Sequence, residues 1–586
     1  MDRNEEFSFK YIKGKIYTAN ITNDFVEGII IKDDKIIFLG SSNLCENFLH
    51  KNNISLDGIQ LISLNSNEVA MPGFIDSHVH PNASQIKKSS LDLSDCGNIE
   101  KFHKKISDYV NNNSEIDWVI GSGYSDDIFD EENPLSYKIL DQICKYKPIV
   151  IYRYDFHACC LNSKGIELIN INKNSPNPEA GVIEKDKNGE LVGVLHDAAM
   201  VLLNRIIPKK SKHEKIVILE EVLHKFMSLG IVGFMDAAVR THFEVYKELY
   251  LNKSLVLPRC ALSMCIIPIF FDPSDESKDD EPKVNESILT NGLRTLDIFF
   301  KKNRIKDWDS FTGGSYKLRV NTVKIFLDGV MESGTALTSC NCSSNNDVKT
   351  ELVKTHNDLV NACDYFYDND IQMHCHSIGD LAANSFLEAM EETLRNKDKE
   401  NSLNKLKRQN HYLAHCQIVN NKDYKRFLDM NISANFSPYW FKSDSFTSNF
   451  QELIKNDLSN EPYPIKTMKE LGINVCFGSD WAVSTLNPLD GIEVAITHRE
   501  LGCEFGEEKD SYNPYQNLTL FDSLKAYMSG SAVVLGLDQV AGTLEIGKFA
   551  DIIVLDKDIF SIKSSQIHTA TVVLTMIGGI VVFSKK

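Results

Sequence analysis

Met71-Pro-Gly-Phe-Ile-Asp-Ser-His-Val-His-Pro81 is the stretch that decides how the rest of the chain is read. An apolar run follows a Pro-Gly turn and ends in His78 and His80, one residue apart. On an extended strand, side chains at i and i+2 point to the same face. Two imidazoles so placed can reach one metal ion, and imidazole suits zinc and related divalent cations. A His-x-His pair alone is a weak signal. It gains meaning if further ligands stand at the ends of other strands.

Through the middle of the chain, apolar runs alternate with amphipathic helices, the pattern of an α/β fold with parallel strands. Strands are predicted at Val69–His80, Gly230–Asp236, Cys260–Ile266, Thr322–Asp328, Ile371–His376, Tyr412–Gln417, Ile432–Phe436 and Val475–Asp480. Helices are predicted at His213–Leu229, Phe243–Leu251, Ala382–Asn396, Lys422–Met430 and Ile465–Leu471. Eight such units predict a (β/α)8 TIM-type barrel over residues 71–539, with its active site at the C-terminal ends of the strands.

Short strands are predicted at both ends of the chain: Lys15–Ala19, Gly28–Ile31, Lys35–Leu39 and Leu61–Leu64, then Asp551–Leu555, Thr571–Met576 and Ile580–Phe583. Asp33-Asp34 and Gly578-Gly579 read as turns. Neither group suffices for a core, so residues 1–70 and 540–586 are expected to pair as one discontinuous β-sandwich domain. The span from His80 to the helix at 213–229 is too long for one barrel connection and holds strands of its own, Trp118–Gly121 and Pro148–Tyr154. About residues 84–205 are therefore read as a subdomain inserted after the first barrel strand. The acidic run Asp272–Pro282 reads as a solvated loop.

Composition narrows the function. The chain has 586 residues, 42% of them hydrophobic, enough for a large core. A net charge of −18 argues against a nucleic-acid partner and leaves a small-molecule substrate as the natural one. The N-terminus is charged, without the apolar stretch of a signal peptide, and no run of about 18 apolar residues suggests a membrane span. Several of the 14 cysteines lie in apolar strands, among them Cys265, Cys375, Cys416 and Cys476, so buried reduced thiols and a cytoplasmic setting are expected. Cys340 and Cys342 lie close together without the second pair that a zinc ribbon needs, and the vicinal Cys159-Cys160 reads as structural. A homodimer is the default assembly for a chain of this size.

Polar residues recur where the predicted strands end: His78 and His80, Lys324 inside Val323–Leu327, His376, His415 and Asp480. Each has an ordinary reading taken singly. A strand-end histidine can be satisfied by a hydrogen bond, a lysine can pair with a carboxylate, and Asp480 can cap a helix. Gathered around one barrel mouth, they read together as a metal centre.

The motifs resemble those of the metal-dependent amidohydrolase superfamily, in its YtcJ-like (amidohydrolase 3) branch, which includes N-substituted formamide deformylases. The residues that carry the resemblance are Pro-Gly-Phe-Ile-Asp-Ser-His-Val-His at 72–80, Arg-Tyr-Asp-Phe-His at 153–157 with Asn-Ser at 162–163, and Val-Lys-Ile-Phe-Leu-Asp-Gly at 323–329. His-Ser-Ile-Gly-Asp at 376–380, Ala-His-Cys-Gln at 414–417, Gly-Ser-Asp-Trp-Ala-Val at 478–483 and the closing segment 542–555 extend it over nearly the whole chain.

The resemblance implies that His78, His80 and Asp480 hold one divalent metal, zinc above all, and that His376 and His415 hold a second where two are bound. It implies that Lys324 is N6-carboxylated and bridges the ions, since a carbamate is an anionic oxygen ligand whereas a lysine cation repels metal. The implied reaction is hydrolysis of a non-peptide carbon–nitrogen bond, formamide-like or in a cyclic amide, by a metal-activated water, with Asp480 moving the proton. Asp328 and Asp380, each four residues past a ligand, are expected to orient the ligands from behind.

Arg153, Asp155 and His157 are expected to contact substrate, the alternative being a structural ion pair beside a satisfied histidine. Trp118, Tyr124, Tyr439, Trp440 and Trp481 are candidates for an apolar pocket, although core packing accounts for most such residues. Two positions depart from the branch: Ala414 where glutamate is common, and Gly334 where arginine is common. Neither removes a ligand, but both loosen the link to a formamide substrate. The same metallo-barrel can host ester hydrolysis, isomerisation or decarboxylation, and a non-catalytic scaffold is the remaining alternative.

Overall fold

The computed structural model describes residues 9–585 except 82, 84–89, 131–132, 179–180, 240–241, 253, 267–287, 304–315, 332–333, 340–354, 396, 398, 443–459 and 504–510. Eight strands run parallel, side by side in chain order: β1 (Phe74–Val79), β2 (Ile231–Val239), β3 (Arg259–Cys265), β4 (Leu318–Phe326), β5 (Gln372–Ser377), β6 (Tyr412–His415), β7 (Ser433–Phe436) and β8 (Val475–Phe477). Each falls on a stretch expected from the sequence. Those stretches are rich in apolar residues because strands of a parallel sheet are covered on both faces. Every residue of β2, β3 and β5 is buried.

The last strand returns to the first and nearly closes the barrel. Ser77 Oγ donates to the Phe477 carbonyl at 2.6 Å, and the Asp480 N–H donates to the His78 carbonyl at 2.8 Å. Gly478 makes this approach possible, since a Cβ there would lie 2.4 Å from Cβ of His78.

The first expected barrel strand, Val69–His80, is in fact two strands. Val69–Pro72 leaves the barrel and runs antiparallel to Ile552–Leu555, and only Phe74–Val79 stays. Gly73 separates them where a side chain has no room: a Cβ there would lie 2.3 Å from Val232. Strands from both ends of the chain thereby share one mixed eight-stranded sheet, which branches where Ile59–Ser63 and Val69–Pro72 both pair with Phe9–Tyr17. Arg259, the first residue of β3, ties this sheet to the bottom of the barrel through a two-pronged ion pair with Asp551, at 2.7 and 3.0 Å.

Between β1 and β2 lies a six-stranded sheet. It contains the two strands expected there, as Val119–Tyr124 and Ile149–Arg153, and four more: Leu91–Asp92, Ala158–Leu161, Gly181–Lys185 and Leu191–Asp197. A separate cluster around Phe102, Ile106, Val119 and Ile151 forms its core, and Tyr124 packs there and not at the barrel mouth. The vicinal Cys159-Cys160 lies in the short strand Ala158–Leu161. Among the described residues there is no disulfide and no helix long and apolar enough to cross a membrane. The acidic run 272–282 and Cys340 with Cys342 lie outside the described residues.

Candidate metal centre

The strand ends bring three donors together. His78 is wholly buried on β1, and His80 follows the strand end. Asp480 follows β8 with φ of +52°, in the left-handed region that aspartate tolerates better than most residues. That turn aims its carboxylate across the barrel seam. Asp480 Oδ1 lies 3.4 Å from Nε2 of His78 and 3.1 Å from Nε2 of His80. One ligand atom from each of the three residues lies within 4.8 Å of the others.

His376 and His415 stand beside this group. Their rings are 4.7 Å apart, and the His415 ring is 4.7 Å from that of His78. Nε2 of His376 donates to the Gly329 carbonyl at 3.0 Å, which fixes the proton on that nitrogen and leaves the Nδ1 lone pair open. His415 lies flat against Trp440, with centroids 5.1 Å apart, and its Nδ1 is buried without a hydrogen-bond partner. Nε2 of His78 is buried in the same condition.

Lys324 of β4 reaches the same interior. It is one of the largest fully buried side chains, with its amine 4.9 Å from the Phe326 ring centre. Burial pushes the amine down to about 8, against an opposing pull from Asp480. The imidazoles of His78, His376 and His415 are pushed well below the ordinary histidine value, by burial first. The charge of Lys324 adds to that effect on all three.

Asp328 accepts from the backbone N–H groups of Ile378, Gly379 and Leu337, at 3.0, 2.8 and 3.2 Å. It therefore braces the turn just past His376. Asp380 accepts from Ser339 N–H at 2.8 Å and holds the same two loops together. In the insertion, Arg153 is engaged twice by Asp155 and once by Asp126, at 2.8, 2.7 and 3.0 Å. Asp155 also accepts from the His157 N–H at 3.0 Å. The His157 ring reaches the mouth, 5.9 Å from that of His376, with Nδ1 2.7 Å from Asp197. The structure thus brings His157 to the centre and ties Arg153 and Asp155 to each other behind it. Of the aromatic candidates, Trp440 stands at the centre, while Trp481 packs against Phe226.

Two buried residues escaped the sequence reading. Asp76 accepts from the N–H groups of His78 and Ser479, at 3.2 and 3.0 Å, and so ties β1 to the turn carrying Asp480. Burial raises its carboxyl to about 7. His374 places Nε2 2.8 Å from Nδ1 of His78. The signal for both was the period of two along a strand, which sets Asp76 on the face of His78 and His374 on the face of His376.

A parallel eight-strand barrel that gathers imidazoles and a carboxylate at its C-terminal strand ends defines the class of barrel hydrolases with a group able to hold metal. The model of the amidohydrolase family matches residues 66–583, and the chain belongs to that family. It is 26% identical over 578 residues to "Putative amidohydrolase YtcJ" of Bacillus subtilis (strain 168), covering 98% of each chain. It is 22% identical over 590 residues to "N-substituted formamide deformylase" of Arthrobacter pascens, again covering 98% of each. The fold is also that of an uncharacterized metal-dependent hydrolase from Pyrococcus horikoshii OT3, with a TM-score of 0.69 at 20% identity over 95% of this chain and 99% of that one.

Proposed function

We propose that the protein hydrolyses a carbon–nitrogen bond of a small non-peptide amide at a divalent metal centre. The observation that carries this reading is the convergence of His78 Nε2, His80 Nε2 and Asp480 Oδ1 at the barrel mouth. The donors fit the group: neutral imidazoles and a carboxylate oxygen suit zinc and its neighbours. Nε2 of His78 and Nδ1 of His415 are buried without hydrogen-bond partners, a state that folds rarely leave uncompensated and that a cation would relieve.

His78, His80 and Asp480 would hold one ion, His376 and His415 a second, with Lys324 carboxylated between them. When bound, the cation supplies a Lewis acid for the carbonyl and a water acidified to a pKa of about 7. Asp480 takes a proton from the attacking water and delivers it to the departing nitrogen as the C–O bond replaces the C–N bond. Burial of Lys324 favours the neutral amine, the form whose lone pair attacks CO2 and then sheds a proton to leave the carbamate. His157, backed by Asp197, is placed to donate to substrate oxygen, and Arg153 with Asp155 braces the turn that carries it. Trp440 offers a flat wall beside His415 for an apolar group on the substrate.

The formamide deformylase relative supports an N-formyl amine as the first substrate to try. We further assign residues 1–70 with 540–586 to a domain of their own, and about 84–205 to an insertion that shapes specificity; the buried thiols fit work in the cytoplasm.

The test is elemental analysis of the purified protein, followed by assay of the zinc- and manganese-reconstituted enzyme on N-formyl amines, N-acyl amines and cyclic amides, with esters as controls. One or two bound cations and release of amine are expected. Protein that binds no divalent cation, or that turns over esters alone, overturns the reading. A carbamate carbon signal after equilibration with labelled CO2, absent from Lys324→Met, is expected; its absence from the metal-loaded parent overturns the role given to Lys324.

A further inference from the structure

His374 has no part in the reading above, yet it sits wholly buried inside the barrel. On β5 it lies level with Lys324 of β4. Its Nε2 is 2.8 Å from Nδ1 of His78, and its own Nδ1 is 3.1 Å from Oγ of Ser263 on β3. Its ring lies flat on that of Tyr412, with centroids 4.3 Å apart, and the Tyr412 hydroxyl donates to the Ser77 carbonyl at 3.2 Å. The ring is therefore held in one plane by a residue that is itself anchored to β1.

The protons along this chain follow from the donor rules. A neutral imidazole carries one N–H and one lone pair. Two ring nitrogens at hydrogen-bond distance share one proton between them. With that proton on Nδ1 of His78, Nε2 of His78 keeps its lone pair toward Asp480 and His80, as a cation requires. His374 Nε2 is then the acceptor, its proton sits on Nδ1, and the Ser263 hydroxyl accepts it. The reverse arrangement puts a proton on Nε2 of His78 and closes that ligand.

We propose that His374, backed by Ser263, is a positioning residue that holds His78 in the tautomer and orientation that binds a cation. The inference rests on the metal-centre reading and adds to it the group that prepares the first ligand. Ligand histidines usually hand their second N–H to a carboxylate, a backbone carbonyl or water, and loss of that partner costs about 10- to 100-fold in metal affinity. A neutral ring serves the same purpose here without adding charge to a layer that already holds Lys324.

The experiment measures zinc affinity by competition with a chromogenic chelator for the full-length parent, His374→Phe, His374→Gln and Ser263→Ala, together with thermal unfolding of each metal-free protein. Phenylalanine keeps a flat ring against Tyr412 and removes the acceptor. His374→Phe is expected to bind zinc about 10- to 100-fold more weakly, with metal-free melting within about 4 °C of the parent. Glutamine restores an acceptor near the Nε2 position and is expected to recover most of the affinity, an effect that general loosening of the core does not produce. His374→Phe with parental zinc affinity overturns the relay and leaves the metal centre standing. A parent protein that takes up no zinc overturns the metal-centre reading, and the relay with it. Should the phenylalanine variant not fold, Ser263→Ala decides the matter: weaker zinc binding supports the relay, and unchanged binding overturns it.

Discussion

At the scale of single residues, Asp480 is asked to do two things, to face a cation and to move a proton. Asparagine keeps its size and its tolerance of the left-handed backbone at φ of +52°. The N–H of residue 480 that meets the His78 carbonyl is also retained. What the substitution removes is the negative charge and the basic oxygen. Asp480→Asn is therefore expected to leave the fold intact and to lower kcat by about 10²- to 10⁴-fold, the usual worth of a positioned general base. Steady-state kinetics on the best substrate of the amide panel, beside a far-ultraviolet spectrum and a melting curve, checks it. A variant retaining more than a tenth of parental kcat would remove Asp480 from the proton path. Five of the six proposed ligands were legible from sequence because they stand at or beside the end of a predicted strand, and Lys324 because a cation is conspicuous between Val323 and Ile325. His374 and Asp76 were not, because what they touch depends on how β1, β3, β5 and β8 are set around the barrel.

At the scale of elements, the barrel is stitched below the centre by side chains that work only when neutral. His411, just ahead of β6, accepts the Met373 N–H of β5 at Nδ1, 2.9 Å away, while its Nε2 lies 3.0 Å from Oε1 of Gln409. Burial lowers its pKa to about 3. The folded value thus lies below that of a free histidine, about 6.5. The contribution to stability is complete above pH 6.5 and is lost as pH falls from there toward 3, at about 1.4 kcal/mol per unit. Urea unfolding at pH 7 and pH 5 is expected to show the parent weaker in acid. His411→Asn, whose side-chain oxygen can still accept the Met373 N–H, should show a shallower loss; an equal slope in both proteins would show that His411 does not carry the effect. The elements themselves were largely readable, since strands buried on both faces are rich in apolar residues. The exceptions have local causes. The Pro72-Gly73 turn marks the break inside Val69–His80, but the reason that no side chain fits at Gly73 is the Val232 side chain on another strand, which the sequence does not show. Ala158–Leu161 is four residues long and carries two cysteines, too short for any period to show.

At the scale of the whole molecule, the two ends of the chain meet the barrel far from the chemistry. β3 begins with Arg259 at the terminal sheet and ends with Cys265 opposite Lys324, about 20 Å away at the usual rise of a strand. Arg259 holds Asp551 with two hydrogen bonds, both groups are buried, and the guanidinium lies 3.7 Å above the Phe549 ring. Asp551 also accepts the Gly578 N–H at 2.7 Å, so the pair joins the barrel floor to the turn between the last two strands. Removing one partner of such a pair strands the other charge out of water, at a cost of about 3–5 kcal/mol. Arg259→Ala should therefore lower stability by about that amount in urea unfolding. Because the site lies at the opposite strand ends, the metal content of the folded variant and its KM should stay near those of the parent. Arg259→Ala together with Asp551→Ala should cost less than the first change alone, since the stranded carboxylate is gone. If the double variant is no more stable than Arg259→Ala, the pair is not what binds the terminal sheet to the barrel, and the strand pairing of Ile552–Leu555 with Val69–Pro72 carries that junction instead.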